Sequence, residues 1–359
     1  MPEPLKNLYS KLLINEVGEA IYESYPDFDR RAFKQNVFDE QWPERELKAR
    51  MMHIAESMHL FLPESYTQAA SILEAAGSSF SGIEHLIFPA YIERFGLDDY
   101  ETSINALETM TPYSSSELAV RPFIIKYGER MMSQMHTWAE SENQHVRRLA
   151  SEGCRPRLPW AMALPAFKDD PSPVLAIIEK LLNDESEYVR RSVANNLNDI
   201  SKDNPETLLA LLHKQSGKSK QTDRLLKHAS RSLLKQGGRE ALDLFGFYPP
   251  KHVQLTGLQV DKSVSIGNRL SFSFRLHSKD EALGKLRIEY AIDFMKANGK
   301  QARKLFKVSE ADYTEKTKSV SKQHSFKLIT TRRYYPGRHD LAVIVNGQQL
   351  GQIEFLLLD

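Results

Sequence analysis

Ser141-Glu-Asn-Gln-His-Val-Arg-Arg-Leu-Ala150 and Glu185-Ser-Glu-Tyr-Val-Arg-Arg-Ser-Val-Ala194 are two versions of one segment, each built around Val-Arg-Arg. Val146 and Val189 are equivalent and lie 43 residues apart, the length of a two-helix repeat of the HEAT or armadillo kind. Between them, Val174, Ile177, Ile178, Leu181 and Leu182 recur at helical spacing and form one apolar stripe. Ser172 and Pro173 supply that helix's opening residues. The next helix is expected from Asp184 through Val189, Val193, Leu197 and Ile200, and another from Asn204-Pro205. Residues 223–238, DRLLKHASRSLLKQGG, read as a degenerate third copy. Short helices joined by Pro-marked turns predict a right-handed stack over residues 1–246 with a concave face for a large ligand.

At Phe247-Tyr-Pro-Pro-Lys251 the pattern changes to alternation. Leu270, Phe272, Phe274 and Leu276 alternate with polar residues, as do Leu286, Ile288, Tyr290, Ile292 and Phe294. Leu341, Val343 and Val345 lead into Asn346-Gly347, a strong hairpin signal, and Ile353, Phe355 and Leu357 follow. Roughly seven short strands in about 110 residues predict an immunoglobulin-like sandwich over 251–359. The fold class expected is mainly α: an α-solenoid of HEAT-like repeats, then a small all-β sandwich. A basic, aromatic loop, Thr331-Arg-Arg-Tyr-Tyr-Pro-Gly-Arg-His339, is expected between two strands.

Composition narrows the function. The chain has 359 residues, 41% hydrophobic and 26% charged, which excludes general disorder and exceeds one ordinary domain. No apolar run reaches about 18 residues, so no membrane helix is expected. The charged start, MPEPLKNLYSKLL, does not read as a signal peptide. The one cysteine, Cys154, rules out a disulfide framework or a Cys-based zinc cage. It points to a reducing cytoplasm. Net charge runs from −11 over residues 1–144, through +4 over 145–250, to +8 over 251–359. That gradient is compatible with a basic half facing a polyanion. Phosphate-cradling, zinc-protease and serine-hydrolase signatures are absent, and the eleven histidines are scattered.

One stretch stands out for chemistry: Arg147-Arg-Leu-Ala-Ser-Glu-Gly-Cys-Arg-Pro-Arg-Leu-Pro-Trp160. Arg148, Glu152 and Arg155 share one face if the helix persists that far. Pro156 and Pro159 then impose an extended path to Trp160. The second repeat offers Arg191, Asn195 and Asp199 as the matching stripe. Side by side, the stripes put arginines suited to phosphate around two carboxylates, Glu152 and Asp199. Two plainer readings stay open: Arg148–Glu152 as an intrahelical salt bridge, and Trp160 as a core or turn anchor. Ser114-x-x-Glu117 likewise reads as a capping box or as a third site carboxylate. Cys154, among arginines, is a candidate for a lowered thiol pKa. Trp138, beside Met131, Met132 and Met135, reads as core.

These residues carry a resemblance. ASEGCRPRLPWA (150–161) and VRRSVANNLNDISKDNP (189–205), in a HEAT-like setting, resemble the AlkC branch of the AlkC/AlkD alkyl-base DNA glycosylases over essentially residues 1–245. Some members carry a C-terminal immunoglobulin-like domain. The resemblance implies excision of cationic methylated bases, such as 3-methyladenine and 3-methylcytosine, from duplex DNA, without obligatory base flipping. It implies Glu152 and Asp199 for cation stabilisation and water activation, Trp160 against the cationic sugar or base, and Glu117 as a third candidate. Arg148, Arg155, Arg157 and Arg191 would hold phosphates, with Arg332 and Arg333 of the sandwich loop as further DNA contacts. AlkD-like relatives carry tryptophan where Asn195 stands, which favours the AlkC branch. The expected partner is double-stranded DNA containing alkylated bases, with no metal or organic cofactor, no membrane, and a monomeric chain. The competing class is a non-catalytic HEAT scaffold for nucleic acid or protein.

Overall fold

The computed structural model describes residues 3–329 and 332–359, among which sixteen α-helices precede eight strands. The first helices are α1 (Lys11–Ser24), α2 (Arg30–Val37), α3 (Leu47–His59), α4 (Tyr66–Gly77), α5 (Ile87–Phe95) and α6 (Tyr100–Met110). Next come α7 (Val120–Tyr127), α8 (Glu129–Trp138), α9 (Gln144–Gly153), α10 (Ala166–Asp169), α11 (Ser172–Leu181) and α12 (Glu187–Ile200). The last are α13 (Pro205–Gln215), α14 (Lys220–Ala229), α15 (Arg231–Gln236) and α16 (Arg239–Leu244). Polar side chains start several of them: Ser10 accepts from the Leu13 amide at 3.3 Å, and Asn143 from the His145 amide at 2.9 Å.

Contacts divide the chain into two compact units. The first comprises residues up to Leu208 with Gln215–Ala229; the second comprises Leu209–Lys214 with Ser230–Asp359. In the first, α9 packs on α12 and α12 on α14, forming one row of the stack. Val146 and Val189, equivalent by the repeat, are both buried. The first arginine of each Val-Arg-Arg does the same job in both copies. Arg147 donates to the carbonyls of Ser141 and Glu142 at 3.0 and 2.8 Å, and Arg190 to those of Asp184 and Glu185 at 2.5 and 2.8 Å. Each closes the turn that precedes its own helix. Asp184, read above as a helix start, lies before α12 and receives Arg147 at 2.6 Å and the Ser186 amide at 2.8 Å. The third copy is split, since α14 ends at Ala229 and α15 begins at Arg231. Trp138 is buried, with its indole N–H donating to Glu108 at 2.7 Å.

The second unit holds a sandwich of β1 (Gln254–Val260), β2 (Ser263–Ser265), β3 (Arg269–His277), β4 (Gly284–Met295), β5 (Gln301–Tyr313), β6 (Thr317–Ser325), β7 (Gly337–Val345) and β8 (Gln348–Leu358). One sheet runs β1-β3-β6 and the other β2-β8-β7-β4-β5. The alternating residues of β3 and β4 face one another across the core. Asn346 and Gly347 take φ of +46° and +79°, the left-handed pair a two-residue hairpin needs. By contacts, α15 and α16 go with the sandwich; Arg239 donates to the Asn346 carbonyl at 3.2 Å. The basic loop is shorter than expected, because Arg338 and a fully buried His339 already belong to β7. Thr331 lies outside the described residues.

His324 on β6 is enclosed by Phe294, Phe306 and Phe326, with the Tyr290 hydroxyl 2.9 Å from its Nδ1. Burial, then the Arg332 and Lys304 cations, push its pKa from 6.5 down to about 4. The unfolded chain therefore binds a proton that the folded chain refuses, so stability falls as pH drops from 6.5 towards 4. The loss should reach roughly 3 kcal/mol at the acid end. Urea unfolding across this range should show the slope, and His324→Gln should remove that share of it.

Candidate active site

The site is built where α9 ends. Arg148 and Glu152 lie on this helix one turn apart, and the chain leaves it after Gly153. Arg155 is thus not on the helix face the spacing suggested. It projects from the following turn and reaches back. Its Nη1 lies 2.5 Å from Oε1 of Glu152, and its Nη2 lies 2.8 Å from Oδ2 of Asp199 on α12. All three are nearly sealed from solvent: Glu152 is 5% exposed, Asp199 2% and Arg155 7%. Burial opposes the Arg155 charge, but the two carboxylates outweigh it and hold its pKa above the ordinary value. Lys202 binds Asp199 Oδ1 at 2.8 Å, and the Ser192 hydroxyl donates to Glu152 Oε2 at 2.6 Å.

A second ion pair adjoins the first. Arg148 lies 2.7 Å from Glu117 and 4.0 Å from Glu152, so one guanidinium links two carboxylates. Glu117 is in a turn before α7, and its carboxylate accepts from the Ser115 hydroxyl at 2.7 Å. The capping box does not form; the helix opens three residues later, at Val120. Glu117, Arg148, Tyr188, His145 and Trp160 line one open cleft of about 300 Å³. Trp160 is 50% exposed and has φ of +66°, so it is not a core anchor. A bulky residue in that region costs about 1–3 kcal/mol and needs firm support.

The structure brings together Glu117, Arg148, Glu152, Arg155 and Asp199 through ion pairs; Trp160 shares the cleft with Glu117 and Arg148, whereas Glu152, Arg155 and Asp199 are buried and do not line it. The other arginines lie elsewhere. Arg157 pairs with Asp203 at 2.5 Å, and Arg191 with Glu187 at 3.2 Å. In the second unit, Arg332 stacks on the Phe294 ring at 4.4 Å, and an exposed Arg333 lies 5.4 Å from the Tyr335 ring. The expectation for Cys154 is corrected. The thiol is fully buried, and burial pushes its pKa up to about 12, overriding the nearby Arg121.

Several participants escaped the sequence reading. Ser192 occupies the slot that Leu149 fills in the previous repeat, so a polar residue in an apolar stripe was the available signal. Tyr188 lies beneath Arg148, 4.8 Å from guanidinium to ring. Arg190, Arg224 and His228 join the expected Arg191 in lining a groove of about 550 Å³ between α12 and α14, and His228 contacts Asn195 at 3.2 Å.

Residues 100–233 match the family described as DNA alkylation repair enzyme. Residues 254–359 match the one described as Uncharacterised protein YhaZ, C-terminal Ig-like domain. The chain is 47% identical over 353 residues to YhaZ of Bacillus subtilis (strain 168), covering 98% of each. It is also similar to the structure of Pseudomonas fluorescens alkylpurine DNA glycosylase AlkC bound to DNA containing an abasic site analog. There the TM-score is 0.95 and the identity 36%, over 99% of this chain and 100% of that one. The fold and these similarities define a DNA glycosylase of the alkylation-repair class. Within that class, the chain belongs to the AlkC branch of the AlkC/AlkD family. Among the described residues, no helix is long and apolar enough to cross a membrane.

The buried triad predicts a stability effect. Arg155→Ala leaves Glu152 and Asp199 enclosed without their shared cation, which should cost roughly 3–5 kcal/mol. Adding Asp199→Asn should recover part of that loss, as read by urea unfolding. A single-variant loss under about 1 kcal/mol would mean the triad is not buried in solution.

Proposed function

We propose that the chain is a monofunctional glycosylase that hydrolyses the N-glycosidic bond of cationic N-alkylated bases in duplex DNA, of the 3-methyladenine and 3-methylcytosine type. The observation that carries this is a chain of three carboxylates: Glu117 lines a cleft walled by an exposed tryptophan, and Arg148 and Arg155 tie it to Glu152 and Asp199, enclosed behind it. A base that already bears positive charge leaves as a neutral molecule, so no general acid is required. What the reaction needs is negative charge near the sugar as it becomes an oxocarbenium-like cation, and a positioned water. Glu152 and Asp199 supply the charge and activate the water, and Trp160 contacts the cationic sugar or base through its ring. An open cleft suits a lesion contacted without extrusion into a closed pocket, contrary to the habit of most enzymes that act on bases.

The arginines divide the work in this reading. Arg148, Arg157 and Arg191 exchange their carboxylate partners for DNA phosphates, assisted by Arg332 and Arg333 of the sandwich. When a phosphate draws Arg148 away, Glu117 is left facing the lesion. Arg155, enclosed between two carboxylates, holds them in place instead of binding phosphate. Residues 1–246 carry the glycosylase activity, and 251–359 form the appended sandwich.

The alternative, a non-catalytic scaffold, draws support from the fact that each carboxylate already has a cation. The two readings part on isosteric substitution. Glu152→Gln and Asp199→Asn should slow single-turnover release of methylated bases about 100-fold or more, with binding to methylated duplex retained. Excision at the wild-type rate by both variants would sink the catalytic assignment.

A further inference from the structure

The segment from Cys154 to Met162 carries both Arg155 and Trp160, yet contains no regular helix or strand. Arg121, on the first turn of α7, reaches it from beneath. This side chain is fully buried, at 0% exposed. Its Nε donates to the Met162 carbonyl at 2.7 Å, and its Nη1 to the carbonyls of Gly153 and Arg155, both at 2.9 Å. One guanidinium thereby closes the segment at both ends. We propose that Arg121 is a positioning residue, which holds the Arg155–Trp160 segment in register with the carboxylates. The inference rests on the catalytic reading above and adds a residue to it.

Three features separate this from ordinary packing. First, Arg121 has no carboxylate partner within hydrogen-bond reach, and its Nη2 finds no partner among the described residues. Burial pulls its pKa down to about 10, so the fold carries a desolvated cation where an apolar residue would pack at lower cost. Charge-assisted bonds to three carbonyls are what the cation provides. Second, the two elements are seated directly on each other. A Cβ on Gly153 would lie 2.7 Å from Cγ2 of Val120, the neighbour of Arg121, so only glycine permits this approach. The Gly153 carbonyl also belongs to the last turn of α9, where acceptors lack helical partners and a cation is favourable. Third, what is held is strained. Trp160 keeps φ of +66° only while its surroundings over-determine it, and Arg121 ties the backbone on both sides. Glu117 lies one turn of chain ahead of Arg121, so the same anchor relates the third carboxylate to the segment.

The test uses the full chain with Arg121→Lys, which keeps a cation but loses the planar fork, and Arg121→Met, which keeps bulk alone. Gly153→Ala is a third probe: it leaves the Arg121 side chain intact but forces α7 and the end of α9 apart. Four quantities are read: melting temperature, native-state tryptic cleavage after Arg157, affinity for duplex carrying an abasic-site analogue, and single-turnover release of 3-methyladenine from methylated duplex. Cleavage should rise about tenfold and excision should fall about 10- to 100-fold per folded molecule, with affinity within about threefold of wild type. Cleavage and excision at wild-type rates overturn the proposal. So does a lowered melting temperature whose folded fraction excises normally, because that is a plain stability role. Should the wild-type chain release no methylated base, the proposed function fails, while the cleavage result still decides whether Arg121 braces the segment.

Discussion

A single guanidinium between two carboxylates governs the geometry of this molecule. Arg155 binds Glu152 from the helix it has just left and Asp199 from the following repeat. Removing three charges from water costs several kcal/mol each before pairing, and only close, well-directed contacts restore it. The stack must therefore bring α9 and α12 together in one register. By the repeat period, the partner of Glu152 on α12 is Asn195, and Asp199 lies one helical turn beyond. A side chain extending from an intact α9 would follow the stripe. By leaving the helix at Gly153, the chain lets Arg155 occupy the gap between the two levels.

The repeated Val-Arg-Arg shows how one motif separates structure from chemistry. Adjacent residues on a helix point about 100° apart, so the two arginines cannot share a task. Arg147 and Arg190 turn back to close their own turns. Arg148 faces the neighbouring carboxylates, while Arg191 is exposed beside a groove that Arg224 extends. Chemically identical side chains thus become a fastener and a contact by position alone. The site is charge-balanced at rest, with Arg148, Arg155 and Lys202 against Glu117, Glu152 and Asp199. In the proposed reading, anionic DNA and a cationic lesion would compete with these pairs from opposite sides, and of the two arginines Arg148, less enclosed than Arg155, has more freedom to respond.

Much of the architecture was legible because periodicity reports burial. The 43-residue repeat, the change to alternation near Phe247 and the Asn346-Gly347 turn each have a local physical cause, and each is present. What escaped depends on contacts distant in sequence. Ser114-x-x-Glu117 satisfies a capping pattern, but the pattern does not say where the helix starts, and Arg148 outcompetes the cap. Nothing in the residue type of Trp160 announces a left-handed backbone. The helices α15 and α16 continue the helical pattern, yet their contacts lie with the sandwich. Cys154 sits among arginines in sequence, but burial, which sequence proximity does not reveal, decides its thiol.

The misfits share a location. An arginine inside the apolar run Ala119-Val-Arg-Pro-Phe-Ile124, a serine in an apolar slot at 192, three enclosed ions and a strained tryptophan all surround the end of α9. Elsewhere in the first unit, several helices carry side-chain caps and most charged pairs are exposed, with the buried Arg50 and the Arg147–Asp184 pair as exceptions. Selection for stability alone has little reason to keep such groups, since replacing a whole buried ion pair by apolar residues is commonly neutral or stabilising. Their concentration in one place is what a preorganised electrostatic site requires: charges held rigidly before the ligand arrives, by neighbours that contribute little else.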